Sequence, residues 1–221
     1  MNDAVYFHSQ GATTWESNYK KRAFSARKDV LRELLASYNL EDQYWLDAGC
    51  GTGPLARFLA AEKGCRVLGV DASKAMIDNC PPAPKAEFRQ IKDICQTALP
   101  DASFDGVLCS SVLEYVAEPR TALFELRRVL KQQGLLLISV RNADPIAWLP
   151  AVSAYWLTKG LGRWRLCKYL DYSKHSYSES TFRQLLNSCG FRVEKARSYG
   201  GLRGFSVLGH GTLVMFRAVK L

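Results

Sequence analysis

The segment Trp45-Leu46-Asp47-Ala48-Gly49-Cys50-Gly51-Thr52-Gly53 constrains the fold of this chain more than any other part of it. A short apolar run, Tyr44-Trp45-Leu46, ends on an acid, and three glycines then alternate through a turn. Leu55 to Lys63 follows with Leu55, Phe58 and Leu59 at helical spacing. Glycine is required where backbone approaches another group closely or takes a positive φ. A helix that opens out of such a turn aims its first N–H groups at whatever binds there. The unit is therefore strand, tight ligand-facing turn, helix.

The same alternation continues. Arg66 to Val70 reads as a second strand closed by Asp71, and Ser73 is a helix N-cap for Lys74 to Asn79. Glu87 to Arg89, Phe104 to Cys109 and Leu135 to Val140 read as further strands. Arg120 to Lys131 reads as a helix stopped by Gly134. Leu135 to Val140 is apolar throughout except Ser139, as a strand buried on both faces requires. Ser178 caps a helix that presents Phe182, Leu185 and Leu186 and stops at Gly190, and Phe191 to Ala196 and Thr212 to Ala218 read as a closing antiparallel pair. The expected fold is α/β: a doubly wound, Rossmann-like, seven-stranded and mostly parallel sheet with one antiparallel strand. Asp29 to Tyr38 reads as a helix, and with Tyr6, Phe7, Trp15 and Tyr19 upstream it makes residues 1–40 a helical cap. One domain is expected over 1–221.

The turn spacing separates two kinds of ligand. Dinucleotide sites use G-x-G-x-x-G, whereas here the spacing is G-x-G-x-G with Pro54 next. An acid two residues before the first glycine would repel a pyrophosphate. It suits instead a ligand with an ammonium and a sulfonium, such as S-adenosylmethionine (SAM). Asp71, at the end of the second strand, is placed to bond both ribose hydroxyls of an adenosine.

Asp47 to Gly53 resembles the first motif of class I SAM-dependent methyltransferases, and Val67-Leu68-Gly69-Val70-Asp71, Asp93-Ile94, Phe104 to Ser110 and Leu126 to Gly134 resemble later segments of that family in order and spacing. The resemblance covers roughly residues 40–140 and is nearest to the small-molecule branch of ubiquinone, menaquinone and tetrapyrrole methyltransferases. It implies SAM as cofactor, contacted by Asp47, Gly49, Cys50, Gly51, Gly53, Asp71, Ala72, Asp93, Ile94 and Ser110. Ser110, Ser111 and Glu114 fall where relatives line the cofactor and acceptor pocket. Many relatives carry Glu-His there, whereas this chain has Glu114-Tyr115, so no role for that histidine carries over. The implied reaction is SN2 transfer of a methyl group to an oxygen or nitrogen of a small, apolar or aromatic acceptor. Tyr19, Glu114, Tyr115, Trp156 and Trp164 are the expected acceptor contacts. His175 is the candidate general base; His8 and His210 carry less in their favour.

Residues 145–172 break the rhythm with Trp148, Tyr155, Trp156, Trp164, Tyr169 and Tyr172 among Lys159, Arg163, Arg165 and Lys168. An insertion after the fifth strand, 145–175, is expected to form an aromatic and basic lid, able to rest on an anionic membrane. Residues 120–221 carry 17 Lys+Arg against 5 Asp+Glu, while residues 1–119 carry 13 against 16. That asymmetry keeps an RNA methyltransferase as one alternative. Its usual Asn/Asp-Pro-Pro-Tyr/Phe motif is replaced here by Ser110-Ser111-Val112-Leu113, so nucleic acid is not the expected partner. A non-catalytic SAM-binding partner protein is the other alternative. The seven cysteines are spaced too widely for a zinc site, and no metal is expected. No secretory signal or membrane span is apparent, so a cytoplasmic protein is expected. Oligomeric state is not legible.

Overall fold

The computed structural model describes residues 3–19, 22–144, 172–200 and 211–221. Three helices come first: α1 (Asp3–Gln10), α2 (Ala12–Tyr19) and α3 (Arg22–Leu34). The alternating unit follows as β1 (Tyr44–Ala48), α4 (Pro54–Lys63), β2 (Arg66–Asp71), α5 (Lys74–Asp78), β3 (Ala86–Gln90) and β4 (Phe104–Ser110). A 3-10 turn at Leu113–Tyr115, α6 (Pro119–Val129) and β5 (Leu130–Arg141) come next, then α7 (Glu179–Ser188), β6 (Phe191–Tyr199) and β7 (Leu213–Lys220).

The strands form one seven-stranded sheet in the order β3-β2-β1-β4-β5-β7-β6. All pairings from β3 through β5 are parallel, and β7 runs antiparallel to both β5 and β6. The strand order reverses between β1 and β4, and in open α/β sheets the crevice at the carboxyl ends of such a pair receives the ligand.

Period-two alternation assigns each strand residue to one of two cores. Trp45, Val67, Leu108, Leu137 and Met215 face Leu31, Leu34 and Leu35 of the α3 end together with Leu55, Phe58 and Leu59 of α4. Leu46, Leu68, Val107, Ile138 and Phe216 face Leu123 and Leu126 of α6 and Phe182 and Leu186 of α7. A Leu or Phe buried in either layer contributes roughly 1.5–3 kcal/mol. Gly106 is required by this packing, because a Cβ there would lie 2.3 Å from the fully buried Trp45 indole.

Local signals set most of the boundaries. Ser73 Oγ accepts from Met76 N–H at 3.2 Å and Ser178 Oγ from Thr181 N–H at 3.1 Å, so both predicted N-caps form. Two expectations are corrected. The helix expected over Asp29–Tyr38 instead spans Arg22–Leu34, because the chain leaves helical bonding in loose turns at Ala36 and Tyr38 before β1. Gly134 does not stop α6: that helix ends at Val129, β5 begins at Leu130, and Gly134 lies inside the strand. Backbone crowding explains a glycine there, since a Cβ would stand 2.9 Å from the Lys131 carbonyl oxygen and 3.1 Å from that of Asp105.

Candidate active site

The glycine turn between β1 and α4 sits at the strand-order reversal. Gly49, Gly51 and Gly53 take φ values of 80°, 57° and 75°, the left-handed region where a side chain is strained. Their neighbours differ. A Cβ on Gly49 would come within 2.3 Å of Val112 after β4, and one on Gly53 within 2.2 Å of the Phe88 ring on β3. A Cβ on Gly51 would stand 3.1 Å from Nε1 of Trp15 in α2. Two glycines therefore admit the protein's own core, and the third faces the helical cap. Gly49 and Cys50 N–H both donate to the Val70 carbonyl, at 2.8 and 2.9 Å, which locks the turn onto β2. The Cys50 side chain is buried, with its Sγ beside Gly69 of β2.

Two carboxylates define the turn's electrostatics. Asp47, at the end of β1, is 2% exposed, and its Oδ2 has no hydrogen-bond partner among the described residues. Burial, with the charge of Asp71 added, pushes its carboxyl up to about 7. Asp71 is better served: Oδ2 accepts from Gly51 N–H at 2.9 Å and Oδ1 from Ser73 N–H at 2.8 Å. Burial still pushes its pKa up, opposed by those backbone donors. Ser73 Oγ then meets Ser9 Oγ of α1 at 2.7 Å. The cap is thereby tied to the acid expected to hold the ribose.

The exit of β4 forms the second wall. Ser111 holds φ 56°, a strained conformation for a non-glycine residue. Its N–H donates to Ser139 Oγ at 3.0 Å, and its Oγ accepts from Arg27 Nη2 of α3 at 3.0 Å. Ser110 Oγ lies 3.0 Å from the same Ser139 Oγ. Glu114, on the 3-10 turn, is 4% exposed, and burial pushes its carboxyl up to about 7 against the pull of Arg27 and Arg141. Its Oε2 has no partner among the described residues. The Glu114 carbonyl accepts from the N–H groups of Lys174 (2.7 Å) and His175 (3.4 Å). Tyr177 also bonds Arg141 and Ala143 through its backbone, so the segment before α7 is held over the carboxyl end of β5. His175 Nε2 is buried and has no partner among the described residues.

The sequence-predicted residues thus divide. Asp47, the three glycines, Asp71, Ala72 and Ser110 gather at one crevice, with Glu114, Tyr115 and His175 along its β4–β5 side. Asp93 is exposed beyond β3, its Oδ1 accepting from Cys95 N–H at 2.9 Å, while Ile94 is part of the core. Tyr19 ends α2, and its side chain is outside the description. Trp156 and Trp164 lie outside the described residues. Sequence reasoning missed His8, Trp15 and Arg27 as residues of the crevice. The aromatic cluster upstream of α3 was the available signal for the first two; a single arginine in a polar helix offered none.

Residues 46–138 match the family model described as a methyltransferase domain. Among curated proteins, malonyl-[acyl-carrier protein] O-methyltransferase of Serratia marcescens is 38% identical over 125 residues, covering 56% of this chain and 49% of that protein. Ubiquinone biosynthesis O-methyltransferase of Schizosaccharomyces pombe is 28% identical over 164 residues, 69% of this chain and 60% of that protein. The chain therefore spans about half the length of the curated relatives it matches. The crystal structure of magnesium protoporphyrin IX methyltransferase from Synechocystis PCC 6803 with bound SAH has the same fold, with a TM-score of 0.70 at 20% identity over 98% of this chain and 97% of that one. A SAM-dependent methyltransferase from Mesorhizobium loti gives 0.65 at 22% identity, covering 88% and 98%.

Proposed function

We propose that the chain, whose residues 46–138 match the methyltransferase-domain family model, transfers a methyl group from SAM to a small-molecule acceptor. The observation that carries this reading is the buried carboxylate of Asp47 beneath the glycine turn, whose Oδ2 has no hydrogen-bond partner among the described residues. A buried acid without a cation is costly, and the ammonium of the methionine portion supplies one. The residues present fit the cofactor. Asp47 would hold the ammonium, Asp71 the ribose hydroxyls, the Gly49–Gly53 backbone the methionine portion, and Ala72, Asp93 and Ile94 the adenine side. When bound, SAM supplies a methyl group activated by its sulfonium. The chain's own part is to orient donor and acceptor and to exclude water, which lowers the entropic barrier.

The named relatives are O-methyltransferases, which favours oxygen as the methylated atom. Glu114, Tyr115, Tyr19, Trp156 and Trp164 are proposed to surround the acceptor, and His175 to receive its proton. Peripheral contact of 145–175 with an anionic membrane and a cytoplasmic location belong to the same proposal. Among the described residues no helix is long and apolar enough to cross a membrane. Pelleting with liposomes that rises with anionic lipid and falls with salt would support the contact; no pelleting with any lipid removes it. On β6 and β7, Arg192, Lys195, Arg197 and Arg217 share Glu33 and Glu194, which offsets half of the charge they would present to an RNA.

Calorimetry with S-adenosylhomocysteine (SAH), followed by transfer of labelled methyl from SAM into a metabolite extract, tests the reading. SAH binding with transfer supports it. SAH binding without transfer to any fraction favours the non-catalytic alternative, and absence of SAH binding rejects the assignment of Asp47.

A further inference from the structure

The cap holds a polar side chain that the proposed cofactor residues do not use. His8 of α1 is packed by Phe7, Trp15 and Tyr115, with ring centroids 5.2, 5.3 and 4.9 Å away and interplanar angles of 70°, 88° and 77°. Phe7 in turn stacks on Tyr172 at 4.7 Å. Trp15 reaches the glycine turn at Gly51, and Tyr115 stands on the 3-10 turn after β4. A continuous aromatic wall therefore runs from the cofactor turn to the exit of β4, built from three separate segments of the chain. Both nitrogens of the His8 imidazole are buried within it, and neither has a hydrogen-bond partner among the described residues.

Buried polar atoms are almost always satisfied in native structures, and one left unpaired calls for an explanation. Burial holds the His8 pKa below its ordinary value, so the ring is neutral, with one N–H and one open lone pair. The rings around it carry no formal charge. An acceptor with a carboxylate at this point would meet no cation from Phe7, Trp15 or Tyr115. A planar apolar ring suits aromatic walls, which favour edge and offset-face contacts. A single O–H or N–H on that ring would supply the donor that His8 lacks.

We propose that Phe7, His8, Trp15 and Tyr115 form the acceptor subsite, which takes a neutral planar ring whose O–H or N–H donates to the His8 imidazole. The proposal rests on the methyltransferase reading and adds to it the class of acceptor and the residue that recognises it.

Imidazole nitrogen NMR of the full chain tests it. The chain has three histidines, so His8 is identified by its loss in His8→Gln, or by elimination with His175→Gln and His210→Gln if His8→Gln does not fold. The protein is first saturated with SAH, then titrated with catechol and, separately, with aniline. The expected result is little movement of the His8 resonances with SAH and a saturable shift with catechol, aniline or both. His8→Gln should weaken binding of that probe about tenfold, the scale of one lost hydrogen bond to a buried group, with SAH affinity unchanged. Failure of SAH to bind rejects the methyltransferase reading and this inference with it. SAH binding with a His8 shift already complete before any probe makes His8 a cofactor contact and overturns the proposal. SAH binding with no response of His8 to either probe overturns it as well.

Discussion

Ser9 and Ser73 meet hydroxyl to hydroxyl at 2.7 Å, and through this contact α1 is joined to Asp71 at the end of β2: Ser73 N–H donates to Asp71, which accepts in turn from Gly51 N–H. Closure of the cap and the geometry of the glycine turn are thus parts of one hydrogen-bonded chain. Ser9→Ala breaks its outermost link. SAH affinity is expected to fall by roughly three- to tenfold, the equivalent of about 0.5–1.5 kcal/mol for one neutral hydrogen bond, with faster hydrogen exchange in residues 3–19. Unchanged affinity and exchange would show that the cap closes independently of this link.

Asp71→Ala removes the acceptor for two backbone donors as well as the proposed ribose contacts. SAH binding should weaken by about tenfold or more per charge-assisted bond lost, at roughly 1.5–3 kcal/mol each. Calorimetry on folded protein reads the effect. Wild-type affinity would remove Asp71 from the cofactor site.

The raised pKa of Asp47 gives a pH dependence of definite sign. Burial and the neighbouring Asp71 push its carboxyl up to about 7 in the folded protein, from an ordinary value of 3.8. Between those values the folded state binds a proton that the unfolded chain lacks. Stability without ligand therefore falls as pH rises from about 4 to 7, by at most about 1.36 kcal/mol per pH unit for one group. SAH binding needs the ionised form, so its affinity should rise over the upper part of that range and level off above it. Asp47→Asn should flatten the affinity curve. Thermal melts and calorimetry from pH 5 to 8 check both; an affinity that falls with rising pH would reject the ammonium role.

The three glycines should respond differently to alanine. Gly53→Ala combines a left-handed backbone with a collision at Phe88, and Gly49→Ala combines one with a collision at Val112. Each should cost about 2–4 kcal/mol, the sum of the strained conformation and overpacking, and lower Tm by several degrees. Gly51→Ala meets only the edge of Trp15, so its stability loss should be the smallest of the three. A melt series in which Gly51→Ala is the most damaging would contradict this packing.

His175→Ala distinguishes a base from a residue that holds the loop. Loss of a general base lowers kcat by about 10²–10⁴ with SAH affinity unchanged. A fall of less than threefold would leave His175 only its backbone contact with Glu114.

The framework of the fold was legible because it rests on local chemistry. The glycine turn, the Ser73 and Ser178 caps and the acids closing β1 and β2 each declare themselves within a few residues. The antiparallel character of the closing strands was also readable, but the insertion of β7 between β5 and β6 was not, since no short-range signal reports which strand lies next to which. Gly134 misled for a related reason: a glycine that ends a helix and one that makes room for a neighbouring carbonyl look alike in sequence. The crevice was legible at the glycine turn and its two acids, where spacing carries the information. It was opaque at His8, Trp15 and Arg27, which reach the crevice only because the cap folds back over β1 and β4. His8 was passed over in favour of His175 because position along the chain says nothing about which imidazole is buried among rings.

The position of β7 bears on how the protein is made. β6 precedes β7 in sequence, yet its sheet neighbour is β7, which also pairs with β5. During synthesis β5 and β6 therefore both emerge without a partner on their facing sides. The crevice side of the sheet can assemble first, but β5 stays its bare edge, and β6 stays outside the sheet, until Leu213–Lys220 has been made and has slid between them. Such late, sequence-distant pairing is slow, and an open edge is prone to wrong pairing. Nascent chains stalled before β7 should thus be the aggregation-prone species, and a chaperone would be needed most until that strand has emerged.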